Sequence, residues 1–238
     1  MFAKRQLQIF FSLYKQFKDV DSIISLTKFG RNKLLISNFL ELFSNMLFED
    51  SSSFKNNSLQ LSKRLANYQK SSKKLGFYND KFVEKLFLDT RIGIITENKE
   101  LLDCFYNFYK AMLIYRQYKK RLLKQSLMEF NNAISHLYST LISTKYDDDP
   151  QCGVGEKNIR RAKSHLQRAS LDFYKDIFIS VLSQREDFNL KYLEDIKNIR
   201  FDEYQHMGDT ESNRVNILDK YSEIFLKDFN VKNIQELL

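Results

Sequence analysis

YDDDPQCGVG, residues 146–155, separates two long runs of sequence that contain neither glycine nor proline. The first run lies between Gly93 and Pro150, and the second lies between Gly155 and Gly208. Because glycine and proline are the usual helix breakers, each run of about fifty residues predicts long helices, roughly 75 Å if unbroken at 1.5 Å per residue. The acidic, proline-containing segment predicts a chain reversal. Such long helices must lie along one another, so we expect an elongated antiparallel coiled coil.

Apolar residues recur three and four positions apart in both runs, which is the spacing of a coiled-coil seam. The residues with this spacing are Leu101, Phe105, Phe108, Met112 and Tyr115 in the first run, and Ile159, Ala162, Leu166, Ala169 and Phe173 in the second. Only six glycines and one proline occur in 238 residues, which leaves few tight turns. The sequence therefore predicts an all-α protein with little or no sheet.

Shorter helices are expected outside the two runs. A basic, apolar stretch from Phe2 to Phe17 predicts a first helix whose apolar face belongs either to the core or to a membrane interface. Residues 49–58 are rich in serine and asparagine and predict an irregular segment. The domain organisation we expect is a coiled coil over residues 1–207, followed by a turn and a helix in residues 208–238, the helix running from Val215 to Phe229.

Positive charge is concentrated in the first half of the chain. The net charge is +8, and residues 1–120 hold 21 Lys and Arg against 11 Asp and Glu. The densest basic cluster is RQYKKR, residues 116–121, which the sequence places in the middle of a helix. A basic surface suits an anionic partner, either lipid headgroups or nucleic acid, and its alternative is a solvated helix face.

Several classes of protein are disfavoured. Cys104 and Cys152 have no Cys or His partner at metal-ligand spacing, which favours a reducing cytoplasm and no zinc site. The acidic segment lacks the ligand spacing of a calcium loop. No stretch approaches the roughly 20 apolar residues that span a bilayer, and the first residues lack a signal-peptide pattern. We expect a cytoplasmic protein, soluble or peripheral to a membrane, with no metal and no cofactor.

Three stretches resemble the BAR domain of sorting nexins. They are LSKRLANY at residues 61–68, FYKAMLIYRQY at residues 108–118, and DFNLKYLEDI at residues 187–196 with DEYQH at residues 202–206. The resemblance spans residues 1–207. It implies a three-helix antiparallel coiled coil that forms a homodimeric or heterodimeric crescent, has no enzymatic activity and binds curved anionic membrane in endosomal trafficking.

The resemblance also implies which residues contact the membrane. The candidates are Lys119, Lys120, Arg121, Lys124, Arg160, Arg161 and Lys163. Sorting nexins carry a phosphoinositide-binding PX domain before the BAR domain, and this chain has neither the strands nor the proline-rich loop of a PX domain. Either a partner would supply targeting, or this chain would be the BAR portion of a longer protein.

A rival interpretation concerns the histidines. Arg160 and His165 fit the short Arg-X4-6-His signature and resemble HEPN ribonucleases, which implies a metal-independent endoribonuclease or a nucleic-acid-bound subunit. Asn132 to His136 is similar to a second copy without its arginine. Arg161, His165, Arg168 and Asp172 also share one helix face, where such residues satisfy one another. A third alternative is a purely structural coiled-coil subunit.

Overall fold

The computed structural model describes residues 4–24, 32–74, 89–142, 154–184, 190–205 and 211–228. Within these ranges the helices are α1 (Lys4–Ile24), α2 (Lys33–Leu47), α3 (Ser51–Lys74), α4 (Asp89–Thr96), α5 (Lys99–Tyr118), α6 (Lys124–Ile142), α7 (Val154–Gln184), α8 (Leu190–Gln205) and α9 (Glu211–Asp228). The same ranges contain no strand, which confirms the predicted all-α fold.

The chain divides into two compact units, and each unit combines segments that are distant in sequence. The first unit consists of residues 1–99 and 134–162, and the second consists of residues 100–133 and 163–238. Helices α6 and α7 therefore each contribute residues to both units.

Aromatic side chains form the core of the first unit. Tyr14 of α1 packs its ring 5.2 Å from the ring of Phe39 on α2, and Phe10 lies 5.2 Å from Phe43. All four rings are buried. The apolar face of the basic first helix is therefore part of the core, which is one of the two alternatives that its sequence leaves open.

The connection between α2 and α3 is shorter than the sequence predicts. Only residues 48–50 interrupt the helices, because Asp50 Oδ1 accepts a hydrogen bond of 3.0 Å from the backbone N–H of Ser53 and so caps α3. Glu49 turns the chain with a φ of 58°. The irregular segment predicted at residues 49–58 is thus wrong beyond residue 50, since a single N-cap suffices to start the helix.

The first long run is not one helix. Helix α5 ends at Tyr118 and α6 begins at Lys124, with residues 119–123 non-helical between them. The basic cluster therefore lies at a helix end and in a connection, and its predicted position in the middle of a helix is wrong. Like charges one turn apart, such as Arg116 and Lys120, destabilise a helix, which disfavours continuation here.

The second long run yields the longest described helix. Helix α7 has 31 residues, or about 46 Å at 1.5 Å per residue. The predicted last helix is confirmed, although it begins at Glu211 rather than at Val215. Most of the predicted reversal, residues 146–155, lies outside the described residues, as does part of the predicted turn at residues 208–212.

Phe108 is central to the core of the second unit. Its ring lies 5.6 Å from that of Phe130 on α6 and 5.8 Å from that of Phe173 on α7, and its side chain is fully buried. One aromatic ring thus joins three helices of this unit.

We expect the Phe108→Ala variant to lose about 3–5 kcal/mol of unfolding free energy, because it removes a buried ring and leaves a cavity between three helices. Urea denaturation followed by circular dichroism measures the loss. Phe201→Ala is the matched control, since Phe201 belongs to the same unit and its side chain is 59% exposed. Equal losses in the two variants would contradict this account of the core.

Candidate functional site

The densest basic segment connects α5 to α6. We call residues 119–124 the basic connection; it contains Lys119, Lys120, Arg121 and Lys124 with Leu122 and Leu123 between them. At its start the backbone N–H of Lys119 donates to the carbonyl of Tyr115 at 3.0 Å, and at its end the N–H of Leu127 donates to the carbonyl of Leu123 at 3.1 Å. The segment is therefore anchored by backbone hydrogen bonds to the helix on each side.

The basic connection borders an open depression of about 430 Å³ within the second unit. Tyr115 and Asp176 complete its lining. The Tyr115 hydroxyl donates a hydrogen bond of 2.9 Å to Asp176 Oδ2, which joins α5 to α7. Burial, and then the bond to Asp176 and its charge, raise the pKa of Tyr115 to about 12. The hydroxyl therefore keeps its proton at neutral pH, and the lining contains one carboxylate beside four cations.

None of the four cations makes an ion pair within the described residues, in contrast to Lys163, Lys175, Arg200 and Lys220 of the same unit. Lys120, Arg121 and Lys124 are exposed, and Lys119 is half-buried. By contrast, Lys175 pairs with Glu203, and Lys220 Nζ lies 2.5 Å from Asp202 Oδ2. Positive charge on the basic connection is thus available to an anionic ligand.

The remaining predicted membrane contacts are placed differently. Arg160 and Arg161 are exposed on the part of α7 that belongs to the first unit. Lys163 is only 7% exposed, and its ammonium lies 2.7 Å from Glu100 Oε2. The hydrogen bond from Lys163, followed by its charge, lowers the pKa of Glu100. The ammonium of Lys163 thus has a partner inside the second unit.

His165, the histidine of the ribonuclease interpretation, is held by a carboxylate. Its Nδ1 lies 2.5 Å from Glu129 Oε2 on α6, and Glu129 Oε1 accepts a hydrogen bond of 3.1 Å from Gln125. Arg160 is exposed and belongs to the first unit, whereas His165 belongs to the second. The imidazole therefore joins α6 to α7.

His136 has an analogous partner in the first unit, where its Nδ1 lies 3.3 Å from Asn158 Oδ1. The second histidine of the proposed signature thus also faces a polar side chain on a neighbouring helix.

Polar contacts between α6 and α7 in the second unit are not apparent from the sequence. Glu129 is 7% exposed, and the buried hydroxyl of Ser126 donates to the carbonyl of Ala169 at 3.0 Å. Asp172 is half-buried, and burial raises its pKa against the lowering effect of Lys175 and Arg168. Ser126 and Glu129 are three residues apart on α6, in a stretch that contains many polar residues. Their burial is therefore evident only once α6 packs against α7.

Comparison with known proteins assigns no family to the chain. No protein-family model matches it, and neither the curated proteins nor the solved structures contain a significant match. None of the helices in the described ranges is long and apolar enough to cross a membrane.

We expect Asp172→Asn to raise the urea midpoint at pH 7. Because burial raises the folded-state pKa of Asp172 above its unfolded value, the native state binds more protons, and stability falls as pH rises from the unfolded pKa through the folded one. At pH values above the folded-state pKa, the buried carboxylate of Asp172 destabilises the protein by a constant amount. The neutral amide of asparagine removes this destabilisation. The variant should therefore also show a weaker pH dependence from about pH 4 upward.

Urea titrations at closely spaced pH values measure this difference. Asp103→Asn is the control, because Asp103 is exposed on α5 in the same unit. A midpoint at pH 7 that falls in Asp172→Asn would refute the account of this carboxylate.

Proposed function

We propose that the protein is a non-enzymatic scaffold that attaches to anionic membrane surfaces through the basic connection. The observation that carries the proposal is the presence of four cations without carboxylate partners in the described structure, all within six residues. A Lys or Arg near an anionic bilayer contributes about 1 kcal/mol to binding, so these four supply a useful affinity together. The four cations also repel one another, and this repulsion falls when anionic lipids neutralise their charge.

Two leucines favour a membrane over nucleic acid as the partner. Leu122 and Leu123 are each half-buried, so each keeps part of its side chain accessible beside the cations. Apolar side chains flanked by basic residues suit the boundary between headgroups and acyl chains. Proteins that bind single-stranded nucleic acid commonly stack its bases on aromatic rings, and the basic connection contains none. A membrane is therefore the favoured partner, and nucleic acid is the alternative.

The finer form of the proposal is a dimeric, BAR-like coiled coil that senses membrane curvature in endosomal trafficking. Its support is the resemblance of residues 61–68, 108–118, 187–196 and 202–206 to sorting-nexin BAR domains, together with the length of α7. Membrane attachment and curvature sensing are separable properties, so one experiment can test both.

We expect the variant Lys119→Glu, Lys120→Glu, Arg121→Glu to bind anionic vesicles at least about 100-fold more weakly than the unaltered protein, because three attractions of about 1 kcal/mol each are lost. The measurement is cosedimentation with phosphatidylcholine vesicles that contain 30% phosphatidylserine, at low and at physiological salt. Vesicles of several diameters report curvature preference.

The control is Lys55→Glu, Lys63→Glu, Lys70→Glu, which changes the net charge equally on the exposed surface of α3. Equal losses of vesicle binding in both variants would show that the loss follows from net charge alone, and would refute attachment at the basic connection. Absence of vesicle binding by the unaltered protein at low salt would refute membrane attachment, and RNA cleavage in EDTA would then test the ribonuclease alternative. Binding without a preference for vesicle diameter would refute curvature sensing and leave membrane attachment standing.

A further inference from the structure

The geometry points to a discrete site for a multiply phosphorylated group in the depression beside the basic connection. This inference rests on the proposed function, since it concerns the same cations, and it adds that they act on one ligand rather than as a diffuse charged surface. The ligand class is a small molecule or lipid headgroup with at least two phosphate monoesters.

Charge matching sets the number of phosphates. Lys119, Lys120, Arg121 and Lys124 line the depression with a single carboxylate, that of Asp176. A phosphate monoester carries about −1.5 to −2 charges at pH 7, so two monoesters match the four cations. A phosphodiester headgroup with one net negative charge leaves most of this positive charge unmatched. The lining thus favours a ligand with dense negative charge.

The size of the depression agrees with a small-molecule ligand. Its volume of about 430 Å³ falls within the range of roughly 300–1,000 Å³ typical of ligand pockets. The depression is largely open to solvent, so a headgroup that remains attached to a bilayer can reach it.

The start of α6 adds backbone donors to the cations. Leu123 occupies the N-cap position, since its carbonyl accepts the hydrogen bond from Leu127 N at 3.1 Å. A leucine side chain has no oxygen with which to cap the first amides of a helix. The 19-residue helix also concentrates partial positive charge at this end. Anions bind at such ends when side chains add charge, as the four cations do here.

The carboxylate of Asp176 opposes the binding of an anion, so removal of its charge tests the proposed site. This carboxylate accepts the hydrogen bond from Tyr115, and it lines the depression with the cations. Because the carboxylate repels an anion, Asp176→Asn should tighten binding of a phosphorylated ligand while an amide oxygen can still accept from Tyr115. A general change in net charge elsewhere would not produce this gain.

The first arm of the test uses a soluble ligand. Isothermal titration calorimetry measures binding of inositol 1,4,5-trisphosphate and of inorganic phosphate to the full chain. We expect saturable binding of the trisphosphate with one site per chain, at least 10-fold tighter than binding of inorganic phosphate. Asp176→Asn should tighten it several-fold, Lys124→Gln should weaken it about 10-fold, and Lys197→Gln, an exposed control on α8, should leave it unchanged.

The second arm uses membranes and separates the two sources of the ligand. Vesicles with 5% phosphatidylinositol 4,5-bisphosphate are compared with vesicles of equal total charge that contain only phosphatidylserine. Preference for the bisphosphate vesicles, with competition by the soluble trisphosphate, supports a lipid-borne ligand. Tight binding of the soluble trisphosphate without vesicle binding supports the site with a free ligand and refutes the proposed membrane function.

The two proposals fail in different ways. Equal binding to both vesicle types, with no binding of the soluble trisphosphate, overturns the discrete site and leaves membrane attachment standing. Weaker trisphosphate binding in Asp176→Asn, with the circular dichroism spectrum unchanged, also overturns the site. Loss of binding in Lys197→Gln to the same extent as in Lys124→Gln overturns it as well, because the effect is then nonspecific.

Discussion

Aromatic rings buried between helices hold each of the two units together. Most of the stability of a helix in a protein comes from packing of its apolar face, so these helices persist because they cover such a face. In the first unit Tyr14 and Phe39 supply that face, and in the second Phe108 and Phe173 do. Buried aromatic pairs contribute beyond their area through edge-to-face and offset contacts. The polar residues are arranged around these two cores.

Two groups of charged residues differ in what they contact. One group makes contacts between helices of the second unit, such as His165 with Glu129 and Lys163 with Glu100. The other group stays unpaired in the described structure, and its densest part is the basic connection. Charges of the first group hold helices together, whereas charges of the second can meet a partner. The proposed function uses only the second group.

Part of the fold and of the site could be predicted from local sequence. Long runs without glycine or proline predicted helices correctly, because helix formation depends mainly on nearby residues and on a periodic apolar face. The identities of Lys119, Lys120, Arg121 and Lys124 as a basic cluster were also visible. Their non-helical position was not, since a cationic stretch also occurs on solvated helices, where repulsion between like charges is too weak to end a helix by itself.

Residue type and spacing are enough to predict the helical class of this protein, its apolar stripes and the concentration of positive charge. Packing of distant segments is needed to see that α6 and α7 each contribute to two compact units, that the buried Lys163 pairs with Glu100, and that Tyr115 and Asp176 line a depression beside the cations. The physical reason is that each of these features joins residues far apart in the chain. Tyr115 and Asp176, 61 positions apart, become neighbours only when α5 packs on α7.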